Sequence, residues 1–354
     1  MFLDRKSPTV ETVGTPENAP VSRFRQDRDS NLWAIVLAGG QGARLRPLVE
    51  RIHSDDRPKQ YAVLVGERSL LRQTLDRSAL VIPAERTVTV TTRSHSAYFA
   101  SEFTGTSPAT ALVQPLDRGT AAGLLLPALW IAWRDPTAIV AVLPSDHFVS
   151  DDAAFMRHVA SLAPVAERHP ERILLVASAA ESPETSYGWI QPGVEIHNSP
   201  SGIVHAVERF VEKPSAAQAQ ACYERGGLWN TFVMVARASA IVDASRRALP
   251  DLYERLRRIR PFVGTERESE AIEGAYALAP VADFSRSVLA AAPDRLGVSR
   301  LPALTWSDWG TPERVLETLR REGIAPRWLK AAARPAPLMP GRPGSGESLL
   351  HQAR

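Results

Sequence analysis

Leu32-Trp33-Ala34-Ile35-Val36-Leu37-Ala38-Gly39-Gly40-Gln41-Gly42-Ala43-Arg44-Leu45-Arg46-Pro47-Leu48 joins an unbroken apolar run to a glycine-rich turn, and its reading sets the fold class. An apolar run without polar alternation suits a strand buried on both faces, as in a parallel sheet. Gly39, Gly40 and Gly42 let the chain turn tightly and aim several backbone N–H groups at one anion. Arg44 and Arg46 add positive charge beside the turn. A Walker loop would need Gly-Lys-Ser/Thr here, and a dinucleotide fingerprint would need a third glycine where Leu45 stands. In isolation the turn is equally well an ordinary structural one.

Similar apolar runs recur at Thr87–Thr91, Ala111–Gln114, Ala138–Leu143 and Ile173–Ala177. Helical patterns lie between them at Ser69–Leu80, Gly119–Trp133 and Asp152–Arg168. This alternation predicts an α/β, Rossmann-like fold with a mostly parallel, doubly wound sheet. After Tyr187 the texture changes. Strand patterns at Ile203–Val211 and Leu228–Val235 flank a helix at Ser215–Arg225, a long helical pattern spans Ala238–Arg260, and Pro312 opens a helix running to about Glu322, so the C-terminal portion is largely helical. The expected organisation is a disordered leader over 1–30, one catalytic-size domain over 31–325, and a Pro/Gly-rich tail over 326–354.

Composition narrows the function classes. The 354 residues are 44% hydrophobic and 23% charged, as in a soluble globular protein. The net charge of +3 comes from 42 Lys and Arg scattered among 39 Asp and Glu, with no basic block interleaved with aromatics, which argues against nucleic acid as a partner. Cys222 is the only cysteine, so neither an intrachain disulfide nor a cysteine metal site can form, and a reducing cytoplasm suits the chain. Residues 1–30 lack the apolar core of a signal peptide, and the longest apolar stretch, Gly119–Trp133, is short for a bilayer and contains Pro127. No membrane partner is expected, and a homo-oligomer is left open.

Asp146 follows the run AIVAVLP, at the end of a strand, where open α/β sheets place ligand-binding residues. A carboxylate there can hold Mg²⁺ against substrate phosphates, because Mg²⁺ needs only one or two protein oxygens. The remaining motifs follow in a fixed order: RPKQ (Arg57–Gln60), SLLRQTLDR (Ser69–Arg77), QPLDRGTAA (Gln114–Ala122), LPSDH (Leu143–His147), YGWIQPG (Tyr187–Gly193), VERFVEKP (Val207–Pro214), LWN (Leu228–Asn230) and WSDWGTPE (Trp306–Glu313).

With the glycine loop, these motifs closely resemble bacterial mannose-1-phosphate guanylyltransferases, of the sugar-phosphate nucleotidyltransferase family, from Leu32 to about Glu322. The resemblance implies transfer of a nucleotidyl group from GTP to mannose 1-phosphate, forming GDP-mannose and releasing pyrophosphate. Chemistry between two anionic reactants asks mainly for positioning and charge neutralisation. Gly39, Gly40, Gly42, Arg44 and Lys59 would hold the triphosphate, with Arg44 the main transition-state stabiliser. The resemblance adds Gln114, Gly119 and Thr120 to the nucleotide site. It gives Asp308 as the partner of Asp146 in holding Mg²⁺, and it assigns Lys213 to the sugar phosphate and Glu212, Asn230 and Gly188 to the hexose. Three positions depart from the family pattern: Gly119 stands where asparagine is usual, Phe232 where glycine is usual, and Arg286 near an expected acidic residue. Two other readings stay open: a dTTP- or UTP-using relative acting on a hexose 1-phosphate, and a non-catalytic homologue that binds a sugar nucleotide. The cupin isomerase domain and hexapeptide β-helix that some family members append are not expected in these residues.

Overall fold

The computed structural model describes residues 31–103, 110–199 and 202–332. Eleven strands occur among them: β1 (Leu32–Leu37), β2 (Thr87–Thr92), β3 (Thr110–Gln114), β4 (Ile139–Pro144), β5 (Phe148–Val149), β6 (Ile173–Ala179), β7 (Gly188–Ser199), β8 (Gly202–Glu212), β9 (Leu228–Arg237), β10 (Leu296–Arg300) and β11 (Trp306–Ser307). Nine form one sheet in the order β3-β2-β1-β4-β9-β6-β10-β8-β7, and β5 pairs with β11 in a separate ribbon. In the large sheet β3, β2, β1 and β4 are parallel, as are β6 and β10, while β9 and β8 run against them. The sheet is thus mostly parallel, as the apolar runs predicted.

Helices cover both faces. One face packs Gly119–Arg134, buried from Ala121 to Ile131, with Ala238–Ala248 and Glu268–Ala277. The other packs Asp152–Ser161 and Ala163–Arg168 against Leu174, Val176 and Val235. A third cluster, built on Leu45, Val49, Leu64, Phe148, Trp309, Val315 and Leu319, ties the glycine loop to the C-terminal helix Pro312–Arg321.

Two long helical patterns come out shorter than expected, and proline explains both. Pro164 sits in the first turn of Ala163–Arg168, so the expected Asp152–Arg168 helix divides at Leu162. Pro250 likewise ends Ala238–Ala248 and starts Pro250–Leu256, because its ring cannot continue the preceding helix. Neither β7, an edge strand with Pro192 and several bulges, nor the short β10 has a periodic pattern that would mark it as a strand.

At the C-terminal end, Arg327–Ala332 is a helix rather than the start of a loose tail, and Trp328 donates its indole N–H to the Leu64 carbonyl at 2.8 Å. The expected leader over 1–30 and the remainder of the expected tail lie outside the described residues. No helix among the described residues is long and apolar enough to cross a membrane.

Candidate active site

The glycine loop leaves β1 at the C-terminal end of the parallel strands. Gly42 adopts φ 58°, and a β-carbon there would sit 2.8 Å from Lys59 Cβ, so only glycine lets the two segments meet this closely. Gln60 fixes the loop from the other side, donating its side-chain N–H groups to the Ala38 and Gly40 carbonyls at 2.8 and 2.9 Å. Its neighbour Lys59 is 4% exposed and donates to Asp146 Oδ2 at 3.1 Å and to the backbone carbonyl of Asp308. A buried ammonium held by a carboxylate and a carbonyl is the arrangement that burial demands.

Asp146 and Asp308 are brought together by the ribbon in which Trp306 and Ser307 of β11 pair with Val149 and Phe148 of β5. Trp309 anchors the turn after β11: it is fully buried, stacks on Phe148 with ring centroids 4.9 Å apart, and takes φ 43°. Asp308 Oδ1 accepts from Tyr187 Oη at 2.8 Å, from Gly310 N at 3.0 Å and from Arg314 Nη1 at 3.0 Å. Asp308 Oδ2 lies 3.7 Å from Arg44 Nη2. Gly42, Arg44, Lys59, Asp146, His147, Asp308 and Gly310 line a polar cavity of about 370 Å³. Burial pushes the Asp146 carboxyl up, but the charge and hydrogen bond of Lys59 outweigh it and hold it below the usual range. The same contest, with Arg314 and Lys59 winning over burial, keeps Asp308 low. His147 is driven down to about 4, chiefly by burial and against the pull of Asp146, so it is neutral at working pH. It accepts a long contact from Trp306 Nε1 at 3.4 Å, in keeping with a supporting part.

A second group gathers at the ends of β7, β8 and β9. Gly188 pairs with Glu212, and a β-carbon on Gly188 would lie 2.6 Å from Glu212 Oε2 and 3.2 Å from Asn230 Cβ. Glu212 is pushed up by burial and by Asp283, opposed by Lys213 and Arg286. Lys213 takes φ 48°, with its Nζ 3.9 Å from Glu212 Oε1 and its side chain 56% exposed. Asn230 Oδ1 accepts from Phe232 N at 3.1 Å, so the carbonyl end of its amide is held by the backbone. Phe232 itself sits at φ 61° in a bulge of β9, where a ring costs about 1–3 kcal/mol of backbone strain. Glycine, usual here in the resembling family, would carry no such strain.

Gln114, Gly119 and Thr120 divide. Gln114 is buried beside Gly39, its Oε1 accepting from Tyr276 Oη at 3.1 Å. The turn at Gly119 is closed by the segment 282–284: Ala121 N donates to the Ala282 carbonyl at 3.1 Å, and Thr120 Oγ1 accepts from Phe284 N at 2.8 Å. Gly119 N donates to Asp117 Oδ1 at 2.9 Å. Gly119 N and Thr120 Oγ1 are thus engaged within the protein. Gly119 has φ 79°, and a β-carbon there would overlap the Ala282 carbonyl oxygen. Gly119→Ala is expected to cost about 2–4 kcal/mol, roughly 5–10 °C in thermal midpoint by circular dichroism, with an unchanged midpoint contradicting the closed turn.

Sequence reasoning missed Arg314, Glu184 and the part played by Tyr187. Arg314 Nη2 donates to Glu184 Oε2 and to Ser186 Oγ, each at 2.6 Å, and its guanidinium lies 4.3 Å from the Tyr187 ring centroid. Only the helix start at Pro312 was visible, and nothing local marks the residue two positions on as one turned toward the protein. The SLLRQT run proves to be a capped helix start, with Ser69 Oγ accepting from Arg72 N at 3.1 Å and Thr74 donating to the Leu70 carbonyl at 3.0 Å.

Known proteins resemble this chain over most of its described length. The family model described as nucleotidyl transferase matches residues 33–322. The xanthan biosynthesis protein XanB of Xanthomonas campestris pv. campestris is 31% identical over 300 residues, covering 83% of this chain and 61% of that protein. The mannose-1-phosphate guanylyltransferase of Escherichia coli K12 is 27% identical over 288 residues, covering 80% of this chain and 58% of its own. This chain thus spans about three fifths of the length of these curated relatives. Among solved structures, a mannose-1-phosphate geranyltransferase from Thermus thermophilus superposes with a TM-score of 0.68 at 30% identity, covering 81% of this chain and 79% of that one.

Proposed function

The chain belongs to the nucleotidyl transferase family, and from that premise we propose that it joins GTP to mannose 1-phosphate, forming GDP-mannose and releasing pyrophosphate. The carrying observation is the polar cavity in which Gly42, Arg44, Lys59, Asp146 and Asp308 converge. A sugar phosphate oxygen attacks the α-phosphorus of the triphosphate, a new P–O bond forms, and the bond to pyrophosphate breaks. No proton need move in that exchange, so the protein's task is to align and neutralise.

Gly39, Gly40 and Gly42 shape the loop that receives the triphosphate, and Arg44 reaches over it with its guanidinium 57% exposed. Lys59 presents a fixed positive charge between the Asp146 carboxylate and the Asp308 backbone carbonyl. Gly188, Glu212 and Asn230 receive the hexose, Glu212 and Asn230 through hydroxyl hydrogen bonds, while exposed Lys213 takes its phosphate. The donor set fits Mg²⁺: two carboxylates face one cavity, each with a lightly engaged oxygen, Asp146 Oδ1 lying 3.6 Å from the neutral His147 ring and Asp308 Oδ2 lying 3.7 Å from Arg44. Two carboxylates are enough for an ion that completes its shell with water and phosphate oxygens. When bound, Mg²⁺ supplies charge neutralisation to the phosphates.

The base and sugar rest on the resemblance and on relatives whose names specify mannose 1-phosphate and guanylyl transfer. Gln60 and the SLLRQT run match that branch, although both act here by fixing backbone. Equal concentrations of GTP, dTTP and UTP with mannose 1-phosphate should yield GDP-mannose as the main product by chromatography. Predominant dTDP- or UDP-sugar overturns the base assignment. No product with any triphosphate favours the sugar-nucleotide-binding homologue.

A further inference from the structure

Asp308 is the end point of a chain of contacts that the reaction itself does not call for. Arg314 is 16% exposed in its side chain, yet it carries a full charge and lies on the first turn of the helix Pro312–Arg321. It spreads that charge over three acceptors through two different nitrogens: Nη1 to Asp308 Oδ1 at 3.0 Å, and Nη2 to Glu184 Oε2 and Ser186 Oγ at 2.6 Å each. The guanidinium carbon sits 4.3 Å from the ring centroid of Tyr187, whose hydroxyl donates at 2.8 Å to the same Asp308 oxygen. Gly310 N donates there too, at 3.0 Å, so Oδ1 receives three bonds. Among the described residues Oδ2 receives none within hydrogen-bond distance, its nearest cation being Arg44 at 3.7 Å. The carboxylate is thereby turned so that one oxygen is bound by the protein and the other faces the cavity.

We infer that Arg314 is a positioning residue: together with Glu184, Ser186 and Tyr187 it locks the rotation of the Asp308 carboxylate so that Oδ2 is the oxygen offered to a divalent cation. This rests on the functional reading above and specifies how one of its ligands is held. The planar fork is essential to the arrangement, since one ammonium cannot reach Asp308 and Glu184 along two fixed directions. Partners that orient a metal-binding side chain commonly change metal affinity by about 10–100-fold when removed. A plain structural alternative exists: Arg314 could serve only to pin the helix Pro312–Arg321 to residues 184–186. Arg321, on the same helix, supplies the comparison, because it pins that helix to Glu181 by an exposed pair at 2.6 Å, away from the cavity at Asp308.

The test is a Mn²⁺ titration of the full chain with a saturating non-hydrolysable GTP analogue, followed by water proton relaxation, alongside melting curves. Arg314→Ala is expected to raise the Mn²⁺ dissociation constant about 10–100-fold. Arg314→Lys should recover little of that loss, and Arg321→Ala should bind Mn²⁺ as the wild type does. The inference is overturned if Arg314→Ala binds within two-fold of wild type, if Arg314→Lys restores full affinity, or if Arg321→Ala loses affinity equally. Wild-type protein that binds no Mn²⁺ under these conditions sinks the metal reading and this inference together. Wild-type binding with an unaffected Arg314→Ala sinks this inference alone.

Discussion

Asp146→Asn is expected to lower turnover on the order of 10³-fold, roughly the several kcal/mol that a metal-held charge contributes to a phosphoryl transition state. The substitution keeps the shape of the side chain and removes its charge. Lys59 is 4% exposed and is ion-paired to Asp146, so the amide leaves that buried charge to neutral oxygens and the variant also melts earlier. The chemistry loses more. An amide is a poor ligand for Mg²⁺, and the lone remaining carboxylate, Asp308, would have to serve alone. Asp308→Asn should lower turnover similarly and also melt earlier, because it removes one of the two carboxylates that answer part-buried Arg314. Pyrophosphate release, measured with and without chelator, decides the matter. Full activity of the wild type in excess chelator would leave neither carboxylate a metal role.

Arg44→Ala is the second large effect, expected to cut turnover about 10²–10³-fold, as when one preorganised charge aimed at a developing oxyanion is lost. The structure separates this loss from any effect on folding. Arg44 is 57% exposed and its ion pair to Asp308 is 3.7 Å long, so the side chain does almost nothing for stability. Leu45 beside it is the residue that anchors the loop in the third apolar cluster. A fall in turnover with unchanged melting and little change in the Michaelis constant for mannose 1-phosphate is therefore the expected pattern. Turnover within a few-fold of wild type would show that Lys59, buried and fixed, carries the stabilisation without help.

Much of this was written into local sequence. An apolar run ending in Gly39, Gly40 and Gly42 reads as a buried strand followed by a tight turn, and at Gly42 an added β-carbon would sit 2.8 Å from Lys59 Cβ. The runs that became β2, β3, β4 and β6 were legible because strands buried on both faces have no polar alternation. The motif order also named Lys59, Asp146, Glu212, Asn230 and Asp308. Tertiary structure decided the rest, because contacts between distant segments leave no periodic trace in either one. The antiparallel insertion of β9 between β4 and β6 depends on pairings across the whole domain. Asp308 meets Lys59, 249 positions earlier, only because a two-residue strand pairs with Phe148 and Val149. Gly119, which sequence placed in a nucleotide loop, is glycine because the carbonyl of Ala282 leaves no room for a β-carbon. Arg314 looked like any charged residue on a helix surface, and only the approach of Glu184, Ser186 and Tyr187 from another part of the chain turned it inward to hold Asp308.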